Sequence, residues 1–105
     1  MALKTRRHQI EEMLVDNPDD AFLHYCLAME FVSAKDDEGA VRAFQKLFAV
    51  DSAYIPAYLQ AGQALSRLER VDEARRIFLR GIDAARQKGD VHALGEMQGF
   101  LDGLD

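Results

Sequence analysis

Apolar residues recur at spacings of three and four along almost the whole chain, while strict alternation over five or more residues is hard to find. That pattern predicts helices throughout and no sheet. Pro18, Gly39, Pro56 and Gly89 punctuate it, and Asp19, Asp36, Asp72 and Asp90 stand where a helix start needs an acceptor for its free N–H groups. Six helices are predicted, at approximately 3–15, 20–33, 38–50, 55–68, 72–88 and 91–104. Helices of about three to four turns are marginal in water by themselves, so these must pack against one another.

The apolar faces show how. In the second, fourth and sixth helices, Ala21-Phe22, Tyr25 and Met29 recur as Ala57-Tyr58, Ala61 and Leu65, then as Ala93-Leu94, Met97 and Leu101, at a step of 36. In the first, third and fifth, Ile10, Met13 and Leu14 recur as Phe44, Leu47 and Phe48, then as Phe78, Gly81 and Ile82, at a step of 34. Two interleaved periods imply two kinds of helix alternating along the chain, which is the pattern of an all-α helical-hairpin solenoid. Small residues permit close approach within it: Cys26 and Gly62 are expected at equivalent places, and Ala40 and Ala74 open their helices one repeat apart.

These residues resemble the tetratricopeptide repeat family, whose pattern is an aromatic, Leu-Gly and Tyr on one helix, then Ala, an aromatic, Ala and Pro on the next. The match is closest over 55–88, where Tyr58, Gly62, Ala74 and Phe78 fill the aromatic, glycine, alanine and aromatic slots. Over 20–54, Cys26 replaces the glycine, Met29 the tyrosine and Ser52 the proline, and the turn at Ala34–Gly39 is expected to be longer than its counterpart by two. The resemblance divides the chain into a half repeat at 3–18, repeats at 20–54 and 55–88, and a capping helix at 89–105. It implies a right-handed solenoid of six helices that binds proteins and catalyses nothing.

A chain of 105 residues with 49% hydrophobic content fits one domain with a modest core, and 30% charged residues argue for a water-soluble fold. No stretch reaches the roughly 20 apolar residues of a membrane span, and the basic start, Met1 to Arg7, has no apolar run behind it. Cys26 is the lone cysteine, so no internal disulfide forms and a cytoplasmic home is expected. The formal charge of −5 is unevenly spread: Arg67, Arg70, Arg75, Arg76, Arg80, Arg86 and Lys88 make one basic stretch between acidic neighbours. Intramolecular pairing on a solvated face accounts for it better than nucleic acid, given the acidic total and the lack of interleaved aromatics.

In such a solenoid the first-type helices line the hollow. The resemblance places Asp20, Leu23, His24, Leu27, Glu30 and Phe31 there, followed by Leu59, Gln60, Gln63 and Arg67, and by His92, Gly95, Glu96 and Gly99. If Leu23, Leu27 and Leu59 are exposed they form an apolar strip for an amphipathic helix or extended peptide; the alternative is that they are covered. With Leu23, Leu27 and Gln60 where some members of the family carry lysine, arginine and asparagine, a clamp for a terminal carboxylate is not expected. His92 and Glu96, with His24, raise a metal site, but no further ligand completes a recognised spacing, and no metal or cofactor is expected. Cys26 has no histidine–carboxylate pair to activate it, so it reads as packing. Gly95, Gly99 and Gly103 recur along one side of the last helix, either at a frayed end or where another helix approaches, such as that of a second copy in a homodimer.

Overall fold

The computed structural model describes residues 3–104; Met1 and Ala2 of the basic start and Asp105 of the cap segment lie outside them. Among the described residues there are six helices and no strand: α1 (Arg6–Asp16), α2 (Ala21–Ser33), α3 (Asp37–Val50), α4 (Ile55–Arg67), α5 (Val71–Lys88) and α6 (Val91–Asp102). Thr5, Asp20, Asp36 and Asp90 cap four of them, each side-chain oxygen accepting from the backbone N–H three positions on. Two expected caps move: Asp20 serves in place of Asp19, and Asp72 lies inside the first turn of α5, where it pairs with Arg75. There, with Glu73, it meets the positive end of the helix dipole, and Arg86 and Lys88 occupy the negative end.

The two hairpin turns are copies of each other. Lys35 and Glu69, which stand one step of 34 apart, both adopt φ of 60°. Each is followed by a closing bond, Asp36 N–H to Phe31 O and Arg70 N–H to Leu65 O, both 2.9 Å. Helices α2 and α4 begin and end at the same step, as do the starts of α3 and α5. The step of 36 expected between α2 and α4 is therefore corrected to 34, and the turn at 34–39 is not longer than its counterpart. The step of 36 holds only from α4 to α6, because α5 runs to 18 residues where α3 has 14 while the loop after α5 is two residues shorter than that after α3.

A shift of two positions turns a helix by about 200°, so this correction exchanges the faces of α2. His24 takes the place of Tyr58, Leu27 that of Ala61 and Ala28 that of Gly62. Phe22, expected to match the buried Tyr58, is instead 61% exposed. A repeated hydrogen bond confirms the register. Tyr58 Oη donates to Ser52 O at 2.6 Å, and His24 Nε2 bonds Pro18 O at 2.7 Å, with side chain and carbonyl both displaced by the same single step.

Packing follows the same frame. Ala28, Ala40, Ala43, Phe44, Leu47, Ala57 and Ala61 form one buried cluster between α2, α3 and α4. Val41, Ile55, Tyr58, Leu65, Phe78, Ile82 and Met97, with Ala64, Ala74 and Ala85 between them, form a second one toward α6. Phe48 and Ile77 touch both. Two linked centres, in a molecule 49 × 28 × 19 Å, are those of a stack extended along one direction and not of a bundle closed on a single centre. Arg67 with Asp37 (2.9 Å) and Arg70 with Glu38 (2.8 Å) tie the two hairpin turns together across the surface.

Glycine is required at position 62 for space: a Cβ there would land against the Phe78 ring, which is fully buried. At Gly95 and Gly99 it would meet nothing within 4 Å. Urea denaturation will accordingly give opposite signs, Gly62→Ala costing about 1–3 kcal/mol through overpacking. Gly95→Ala and Gly99→Ala will each stabilise by roughly 0.5–1 kcal/mol through helix propensity.

Candidate partner-binding surface

Residues three and four apart share a helix face. On α2, Phe22, Tyr25 and Met29 do so; on α4, Leu59 and Gln63 are the repeat equivalents of Tyr25 and Met29; on α6, Gly95 and Gly99 are the equivalents of Leu59 and Gln63. Across three successive helices the face thus shrinks from aromatic and methionine, through leucine and glutamine, to bare backbone. Phe22 is exposed, Tyr25, Met29, Leu59 and Gln63 are half-buried, and both glycines are exposed. The ring of Tyr25 lies 5.2 Å from that of Tyr54, which fixes its place between α2 and the start of α4.

Cys26 sits among them. Burial pushes its thiol up from the ordinary range, and the carboxylates of Asp20 and Glu30 add to this against the opposing pull of Arg6. Tyr25 and Tyr54 are likewise raised, first by burial and then by their ionisable neighbours. A thiol held protonated at neutral pH is a weak nucleophile, so this cluster offers shape and hydrogen bonding in preference to covalent chemistry.

The expected groove residues divide. Leu59, Gln60 and Gln63 are half-buried on α4, and His92 and Glu96 are exposed on α6, where His92 Nε2 lies 3.0 Å from Glu96 Oε1. Arg67 is engaged: Nε and Nη2 both donate to Asp37. His24 and Leu27 turn the other way. With Glu11, Leu14, Val15 and Lys46 they line a hollow of about 350 Å³ beside α1 and α3, and His24 is 8% exposed, held by Pro18. Leu23, half-buried, is the repeat equivalent of the fully buried Ala57. The structure therefore does not bring Leu23, Leu27 and Leu59 into one strip. On α2 the positions equivalent to Leu59 and Gln63 belong to Tyr25 and Met29, which are half-buried and pack against the first core cluster as expected, with Phe22, expected in the core, exposed beside them. Carrying the step that relates Ala40 to Ala74 and Phe44 to Phe78 through to α2 would have found them.

Among the described residues, no three His, Cys, Asp or Glu side chains gather into a metal-binding set, and no helix is long and apolar enough to cross a membrane.

The tetratricopeptide repeat model matches residues 31–96, well over half of the chain. This chain belongs to the tetratricopeptide repeat family. It is 30% identical over 96 residues to a TPR repeat-containing protein of Pseudomonas aeruginosa, covering 91% of each chain. It also resembles the crystal structure of a tetratricopeptide repeat domain protein of Salinibacter ruber, at 30% identity and a TM-score of 0.75, covering 81% of this chain and 94% of that one. The type III secretion translocator chaperone SycD of Yersinia enterocolitica shares the fold alone, at 11% identity and a TM-score of 0.86, with 93% of this chain and 68% of that one covered. Tetratricopeptide repeats are protein–protein interaction modules, and members of the family are typically non-catalytic.

Within the repeat, His24 does the work of Tyr58 with one atom too many: the carbonyl of Pro18 can only accept, so Nε2 carries the proton, and Nδ1 is a buried acceptor without a hydrogen-bond partner. His24 borders the hollow of about 350 Å³ beside α1 and α3. His24→Tyr will hold or raise the melting temperature, whereas His24→Ala will lose about 1–3 kcal/mol in chemical denaturation.

Proposed function

We propose that this tetratricopeptide repeat protein is a non-catalytic adaptor that holds a peptide or helical segment of a partner protein against the face formed by α2, α4 and α6. The observation that carries the reading is Phe22, 61% exposed and in line with Tyr25, Met29 and Leu59. A large ring left in water beside half-buried apolar neighbours is the usual mark of a surface awaiting a partner. A few anchors, chiefly Phe22 and Leu59, enter gaps of the incoming segment.

The glycines of α6 support the same reading. Each costs the helix about 1 kcal/mol relative to alanine. No side chain among the described residues needs the space at Gly95 or Gly99. A partner backbone approaching α6 closely is what their bareness serves, with Gln60, Gln63, His92 and Glu96 offering hydrogen bonds along its flank. No cofactor enters this role, nor does a nucleic acid or a membrane, and a lone protonated thiol suits a reducing cytoplasm.

Affinity capture from cells of the source organism will test it, comparing the unmodified chain with Leu59→Glu and Phe22→Glu. The expected result is a protein retained by the first and depleted by about tenfold or more with either variant, with helicity by circular dichroism unchanged. Equal retention by all three would remove the face from consideration, and a stable dimer in light scattering that dissociates on Phe22→Glu would assign it to self-association.

A further inference from the structure

The basic stretch of the sequence splits in two in the structure. Arg67, Arg70 and Arg75 pair with Asp37, Glu38 and Asp72. Arg76, Arg86 and Lys88 meet no carboxylate among the described residues, and Arg80 lies over the rings of Phe48 and Tyr58, 5.6 Å from each centroid. On α3, Arg42 and Lys46 are exposed and likewise unpaired among the described residues. These cations lie on the second-type helices, the layer opposite the partner face. In a chain of net charge −5, α3 and α5 together carry seven cations against five carboxylates, a small basic excess concentrated on α5.

That layer is also grooved. Between α3 and α5, Val41, Phe44, Phe48, Ala61, Leu65 and Ile77 floor a hollow of about 250 Å³, and Gln45, Arg76 and Arg80 stand at its rim with Glu73. Arg80 is shared with a second hollow of about 290 Å³, more polar, that ends at Gln87 and Lys88. The groove is a feature of the repeat: one step earlier in the chain, Lys46 stands for Arg80, Leu14 for Phe48 and Leu27 for Ala61 around the α1–α3 hollow.

We infer that the α3–α5 groove is a second docking surface, for an acidic protein segment that seats one bulky apolar side chain in the hollow and lays carboxylates on Arg76, Arg80 and Lys88. Charge complementarity selects this occupant: guanidinium groups that meet no carboxylate among the described residues, set around an apolar floor, match a carboxylate-flanked anchor. Glu73 and Asp83 line the same track and oppose any anion alike, so the apolar floor makes the distinction: a phosphate backbone has nothing to seat in it. The site faces away from the α2–α4–α6 surface, so both can be occupied together, and it stands whether or not that surface binds as proposed above.

The test titrates the full chain with a fluorescein-labelled peptide carrying one phenylalanine among glutamates. Controls are the same peptide with alanine for phenylalanine, its lysine counterpart, and a single-stranded DNA oligonucleotide. Saturable binding of the first probe alone is expected, weakening with salt, with amide shifts at Val41, Gln45 and Ile77. Arg76→Glu and Lys88→Glu, both on exposed positions, should each lower affinity about tenfold without loss of helicity, while Leu59→Glu should leave it unchanged. No saturation, equal binding of the alanine peptide or the oligonucleotide, shifts confined to the Phe22 and Leu59 face, or self-association abolished by Arg76→Glu would each overturn the assignment.

Discussion

A phenylalanine ring packed where a neighbouring helix has no side chain is the contact on which the hairpin stack depends. Phe78 fills the space left open at Gly62, and the equivalent slots of the preceding repeat hold Phe44 and Ala28, both buried in one cluster. Such a ring brings α4 and α5 close enough for their remaining faces to be covered only by the hairpins before and after. The result is a chain of local cores in place of one common centre, and each interior helix retains one side for which the chain itself has no cover. Phe100 stacks on Phe78 at 5.8 Å and closes the series at its C-terminal end.

The helices were legible because most of their breaks are chemical: prolines, glycines and aspartates mark the majority of the ends. The faces of α4 and α5 were legible as well, since their apolar and polar residues contrast sharply. Helix α2 is different. Almost every residue from Ala21 to Val32 is apolar, so rotating it by two positions leaves a similar pattern, and its direction of packing is set by the partner helices alone. His24 deepened the ambiguity, because a histidine reads as a surface residue until the carbonyl of Pro18 is seen to satisfy it. The candidate surface was therefore half legible: α4 and α6 contributed the expected residues, and α2 contributed the opposite side.

Once the register is corrected, the two layers differ in character. The first-type helices present Phe22, Tyr25, Met29 and Leu59 beside Glu96 and two uncovered glycines. The second-type helices present Arg42, Lys46, Arg76, Arg86 and Lys88, which meet no carboxylate among the described residues, around apolar hollows. Were both proposed surfaces occupied, a short solenoid with two unlike faces would join two partners without either displacing the other.

Photo-crosslinking from position 22 probes the exposed side of α2 most directly. With p-benzoylphenylalanine in place of Phe22, irradiation of living cells should give an adduct with a different protein, at a mass above that of the monomer, and no such adduct when the same group replaces Ala28 on the packed side. Adducts from both positions alike, or none from position 22, would contradict the account.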